Sequence, residues 1–79
     1  MLQGGERMGN FCDNLRIMRL RRLMSQETLA KRIGVSQNLI SLYEKGEASP
    51  KLAIAMRLAK ALGVTIEQLV GEDPPNTNA

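Results

Sequence analysis

The 79 residues leave room for one small domain, whose core has to be used economically, so association with a partner is a natural source of added stability. Phe11 and Tyr43 are the only aromatics, and the apolar content is mostly Leu, Ile, Ala and Met, which favours packed short helices over strands. With no histidine and one cysteine, Cys12, the composition excludes an internal disulfide, a zinc-ligand cluster and a Cys–His nucleophile pair. The formal charge of +3 understates an asymmetry: residues 15–60 hold ten Lys or Arg against Glu27, Glu44 and Glu47, a balance that favours a polyanionic partner.

Residues 1–9 carry three glycines without periodicity and are expected to form a flexible arm. Gln3-Gly4-Gly5-Glu6 implies purine-rich codons resembling a ribosome-binding site, so translation is expected to begin at Met8. The domain proper is expected over residues 10–71. Asn10 can cap a first helix whose apolar stripe runs through Phe11, Leu15 and Met18, with Arg19 and Arg22 at its border. That helix carries a second apolar line of Ile17, Leu20 and Met24, more than a single packed face requires.

Ser25 offers a second helix start, Ser36 a third and Ser49 before Pro50 a fourth, while Thr65 with Gln68 forms a capping box for a fifth. Gly34, Gly46, Gly63 and Gly71 stand where helices should stop. Met24 with Leu29, Val35 with Ile40, and Val64 with Leu69 have the spacing of hydrophobic staples at three of these starts. The fourth helix is expected to pack through Leu52, Ala55, Met56, Ala59 and Leu62. Residues 72–79, with two prolines and a polar remainder, read as a disordered tail. No apolar run approaches the roughly 20 residues that span a bilayer, and no signal sequence opens the chain, so a cytoplasmic protein is expected.

Gly34, Val35 and Ser36 alone join the second and third helices, a spacing that suits two short helices meeting at a steep angle, the helix-turn-helix. Ala30 supplies the small residue needed where they cross, and Gly34 the left-handed turn. Leu29, Ile33, Val35, Ile40 and Tyr43 can fill the angle between them. On the third helix Leu42 falls outside the apolar stripe, among Asn38, Ser41 and Lys45.

Met24-Ser25-Gln26-Glu27-Thr28-Leu29-Ala30, Ile33-Gly34-Val35-Ser36-Gln37, Ile40 with Glu44 and Gly46, and Leu58-Ala59-Lys60-Ala61-Leu62-Gly63-Val64 together resemble the phage repressor and Cro-like helix-turn-helix domains, the xenobiotic-response-element type. The resemblance runs from about Phe11 to Val70. It implies an all-α, compact five-helix domain of the lambda-repressor-like DNA-binding type, a repressor or related transcriptional regulator. Its third helix would enter the major groove of double-stranded DNA, as a homodimer on a two-fold operator. On that helix Gln37 and Asn38 can present a donor and an acceptor together to adenine, Ser41 and Leu42 share the groove side, and Leu42 can touch a thymine methyl. The bland alternative has Leu42 curled over the rim of the core. Leu39, on the near edge of the stripe, is expected to pack.

Gln26, at the amino end of the second helix, is the expected phosphate contact, with Lys45, Lys51 and, more weakly, Lys31. Arg19 and Glu44 resemble the family's structural ion pair between the first helix and the end of the third. Dimerisation is expected either through the last helix and its preceding loop, around Val64, Ile66 and Val70, or through the Ile17 and Leu20 face. An enzyme is not expected, because Glu27, Glu44 and Glu47 fall on different elements and no acid–base pair can be assembled; no cofactor or metal is expected either. The competing reading is a protein-interaction module, such as the antitoxin half of a toxin–antitoxin pair.

Overall fold

The computed structural model describes residues 11–71. The expected arm, the Asn10 cap, the Met8 start and the tail at 72–79 lie outside the described residues. Five helices follow one another, α1 (Phe11–Arg21), α2 (Gln26–Ile33), α3 (Gln37–Lys45), α4 (Leu52–Leu62) and α5 (Ile66–Val70), with no strand among the described residues.

Local chemistry sets most of the boundaries. Ser25 and Ser36 accept from the backbone N–H of Thr28 and Leu39, and Thr65 and Gln68 close a reciprocal capping box at the start of α5. Gly34, Gly46, Gly63 and Gly71 all adopt left-handed backbone conformations at the following helix ends. At Gly34 the reason is conformation, not space: φ is 81°, while an added Cβ would meet nothing within 4 Å. At Gly63 both apply, because a Cβ there would also collide with the Arg22 guanidinium. Arg22 Nε donates to the carbonyl of Leu62 at 3.0 Å, so an arginine in the turn after α1 closes the end of α4.

Two expectations for α4 need correction. Ser49 and Pro50 do not open it; the helix starts at Leu52, with Lys51 in the cap position and no side-chain cap bond. Glu47 N–H is held by the α3 cap and Ala48 packs on the core, so residues 49–51, outside any regular element and with Lys51 extended, carry the chain to the start of α4. Leu52 and Met56 do not pack inward but are 68% and 56% exposed. The buried stripe is Ala55, Leu58, Ala59 and Leu62, because the fully buried Leu58 rotates the helix away from the expected line.

The core joins Leu15 of α1, Leu29, Ala30 and Ile33 of α2, Ile40 and Tyr43 of α3, Leu58, Ala59 and Leu62 of α4, and Leu69 of α5. Met24, Val35 and Val64, the leading members of the three staples, are partly buried against it. Leu39 packs there too, partly buried against the core. The chain closes on itself where Asn14 Nδ2 of α1 donates to the carbonyl of Leu69 at 3.2 Å, tying the last helix to the first.

The Phe11 ring meets Tyr43 edge-on, with centroids 5.9 Å apart, a contact worth about 0.5–1.5 kcal/mol beyond its buried area. Burial pushes the Tyr43 phenol above its ordinary value of 10.0. The unfolded chain therefore ionises first as pH rises, binds fewer protons than the folded one, and gains on it. Stability is expected to be insensitive to this group below about pH 10 and to fall as pH rises beyond the ordinary tyrosine range. Denaturant titrations across that range should show the fall in the parent and a shallower one in Tyr43→Phe, with the absorbance of the single tyrosine following its ionisation directly.

Candidate nucleic-acid interface

The turn from Gly34 to Ser36 folds α3 back so that the first residues of α2 and α3 lie side by side. Gln37 Nε2 approaches Gln26 Oε1 at 3.5 Å, a long contact between the opening residues of the two helices. Each helix end has backbone N–H groups without intrahelical partners and the positive end of its dipole, so together they form a local field that favours an anion.

Behind this edge stands a connected set of side chains. Arg19 donates through Nε to Glu44 Oε2 at 2.6 Å and through Nη2 to Oε1 at 3.1 Å, and through Nη1 to the carbonyl of Met24 at 2.8 Å. Its side chain is 10% exposed and that of Glu44 6%, so the pair is largely out of water. Gln26 Nε2 then donates to Glu44 Oε1 at 3.1 Å. A carboxylate only accepts hydrogen bonds, so Glu44 dictates which end of the Gln26 amide faces it, and the Gln26 oxygen is left toward Gln37. One N–H of Gln37 is thereby directed inward, and its carbonyl oxygen and second N–H remain for an outside partner.

Gln37 and Asn38 are exposed on the first turn of α3, and Ser41 is half-buried one turn on. Leu42 is half-buried without belonging to the apolar residues packed on the core, which leaves part of its surface on the same side. Ser41, Gln26, Glu44 and Lys45 line a shallow depression with Arg16 of α1. Sequence reading missed Arg16, although it lies one turn before Arg19 on the side of α1 nearer α3, and that spacing was a usable signal. Lys31 makes an exposed i,i+4 pair with Glu27 at 3.6 Å, which divides its charge between neighbour and solvent. Lys51 is exposed at the head of α4, away from this depression's lining.

Among the described residues no group of His, Cys, Asp or Glu could hold a metal ion, and no helix is long and apolar enough to cross a membrane.

A profile of the HTH_3 helix-turn-helix family matches residues 15–69, which contain the whole of α2, the turn, α3 and α4. The chain belongs to this helix-turn-helix family. It is 42% identical over 66 residues to the cryptic phage CTXphi transcriptional repressor RstR of Vibrio cholerae, covering 84% of this chain and 60% of the repressor. It is also 37% identical over 73 residues to antitoxin HigA1 of Mycobacterium tuberculosis, covering 92% of this chain and 48% of the antitoxin. The chain thus spans less than two thirds of the length of either relative. Among solved structures, the P22 c2 repressor in complex with a synthetic operator superposes with a TM-score of 0.77 at 30% identity, over 81% of this chain and 97% of that one. The all-α, five-helix architecture is accordingly that of the lambda-repressor-like domains.

In this helix-turn-helix domain the ion pair supports the α3 edge from behind. Removing the Glu44 carboxylate strands a buried guanidinium, so Glu44→Ala should cost about 3–5 kcal/mol in denaturant unfolding. Replacing both partners by apolar residues, Arg19→Met with Glu44→Leu, should recover most of that loss, because no uncompensated charge stays buried. Equal destabilisation by the single and double changes would show that the pair's charge is not what matters.

Proposed function

We propose that this chain is the DNA-binding unit of a transcriptional repressor, reading the major groove of double-stranded DNA with α3 as a homodimer on a two-fold operator. The observation that carries the reading is the exposed edge where Gln37, Asn38 and Ser41 sit beside two capped helix N-termini, with Arg16 and Lys45 bordering it. The amides supply base-edge hydrogen bonds, of which a bidentate pair to adenine discriminates by about 1–3 kcal/mol. Leu42 supplies apolar contact to a thymine methyl. Gln26 offers its backbone N–H to a phosphate, its side chain being engaged with Glu44; Lys45, Lys51 and Lys31 supply flanking charge.

Selection of bound sequences from a random DNA pool tests this directly. A two-fold motif is expected, with half-sites about 34 Å apart centre to centre. Gln37→Ala should relax one adenine position and Leu42→Ala one thymine position. Lys45→Ala should weaken binding on all sequences and reduce the slope of log affinity against log salt by about 0.9. No enrichment from folded protein at low salt would overturn the reading. The likeness to antitoxin HigA1 supports the second reading, a module whose main partner is another protein, and that outcome would favour it.

For the dimer we favour the α4–α5 side. Met56, Ala59, Val64 and Ile66 line an apolar groove there, with the stems of Arg57 and Lys60 at its border and the exposed Leu52 one turn before Met56. A second copy covering it removes the largest apolar side chains that α4 leaves in water. Met56→Lys is expected to yield monomers in sedimentation without lowering the unfolding midpoint of the monomer, and to weaken full-operator binding at least about 100-fold, a loss of about 2.7 kcal/mol.

A further inference from the structure

Where the turn after α1 meets the ends of α4 and α5 there is a second concavity, which shares no residue with the depression beside α3. Met18, Arg21, Arg22, Leu62, Val64 and Gln68 line a pocket of about 440 Å³. Small-molecule sites occupy roughly 300–1,000 Å³. Met18, Leu62 and Val64 make its floor apolar, and the polar side chains around that floor have only donors left to offer. Leu23, left-handed at φ of 57° where the other four helices end on glycine, turns the chain directly after Arg22; a leucine is strained in that region. Arg22 uses Nε on the carbonyl of Leu62, and its guanidinium lies where a Cβ at Gly63 would stand, so the head is held in place with its Nη groups uncommitted. Gln68 Oε1 accepts from Thr65 N–H at 3.0 Å in the α5 capping box, which leaves the Nε2 hydrogens. Arg21 is exposed at the rim. No carboxylate lines the pocket, and among the described residues neither arginine enters an ion pair.

We propose that this pocket binds a small amphipathic carboxylate, an organic acid with a compact alkyl or aryl body. The body covers Met18, Leu62 and Val64, while the carboxylate accepts from the Arg21 and Arg22 guanidiniums and from Gln68 Nε2. The pocket's own polarity selects this class. A neutral apolar ligand would leave two arginines unanswered, an amine would meet like charge, and an inorganic anion would leave the floor in water. Six lining residues suit a small molecule, whereas a stable protein interface uses roughly 20–30 residues a side. Because the Arg22 head is already held, little of its freedom remains to be lost on binding. No lining residue lies on α2 or α3, and Val64 alone is shared with the α4–α5 groove, so the inference does not rest on the operator reading.

The test titrates octanoate and 4-phenylbutyrate into the full chain and follows its N–H resonances by two-dimensional NMR. Saturable shifts are expected at Arg22, Val64 and the Gln68 side-chain amide. Affinity should be at least about tenfold tighter than for octanol, which lacks the charge, or acetate, which lacks the body. Gln68→Glu keeps an acceptor for the Thr65 cap but puts a carboxylate in place of the pocket's donor. It should therefore lose at least about tenfold in affinity for both acids with no fall in the unfolding midpoint. Arg21→Gln should also weaken both acids, whereas Arg32→Gln, which removes the same charge from an exposed position on α2, should leave their binding unchanged. Equal affinity for octanol or acetate, binding that survives Gln68→Glu and Arg21→Gln, or no saturable shift with either acid would overturn the proposal. A response seen only after removal of residues 72–79 would overturn it too, by giving the pocket to the chain's own Glu72 and Asp73. So would self-association abolished by Arg21→Gln, which would make the pocket a contact between copies.

Discussion

The Arg19–Glu44 pair is the interaction on which the rest of this domain depends. One guanidinium reaches three acceptors on two separate pieces of chain: both oxygens of Glu44 near the end of α3, and the carbonyl of Met24 between α1 and α2. Through the Gln26 amide the same carboxylate also holds the start of α2. Three helices and one turn are thus referenced to a single pair of side chains. In a core made mostly of leucine, isoleucine and alanine, apolar contacts alone tolerate sliding and rotation, whereas a forked, charge-assisted hydrogen bond accepts few geometries.

The remaining elements frame that arrangement. α4 seats Leu58 and Leu62 into the core and has its carboxyl end closed by Arg22 from the turn after α1, and α5 is brought back to α1 by Asn14. α1 meets α3 and α5 with its inner side, Arg22 in the turn that follows it reaches the end of α4, and its outer side is the surface left over. Arg57 Nη1, 3.4 Å from the carbonyl of Ile33, gives α2 a similar basic partner at its carboxyl end. Basic side chains thus serve the helix ends as well as the edge, so the high basic content of residues 15–60 is only partly a signature of a polyanion.

Sequence reading succeeded where one residue settles a local choice. Ser25, Ser36 and Thr65 as caps, glycines as stops, and Ala30 with Gly34 at the crossing each have a short-range physical reason, and the structure uses them in those roles. It failed where the answer depended on a distant partner. Ser49 and Pro50 are good helix openers in isolation, but they lie between the core-packed Ala48 and the helix start at Leu52 and are used as connection. Leu52 and Met56 fit a 3.6-residue stripe, yet the rotation of α4 is decided by where Leu58 finds room in the core. Arg16 was legible as a neighbour of Arg19 and still missed, because nothing in one dimension marks which side of α1 lies against Lys45. Leu23 was invisible as a strained position, since a leucine at a helix end carries no sign of its backbone angles.

The fixed sense of the Gln26 amide has a consequence for timing. An unrestrained glutamine samples many rotamers, and immobilising one at an interface costs about 0.5–1.5 kcal/mol. Here Gln26 is already committed by the Glu44 charge, and Gln37 is lightly tethered to it. That share of the ordering entropy is lost when the chain folds and is not charged again at each encounter. A partner arriving at α3 would meet a surface whose donors and acceptors have their polarity assigned beforehand, so a mismatched partner would have fewer ways to be accommodated by side-chain rearrangement.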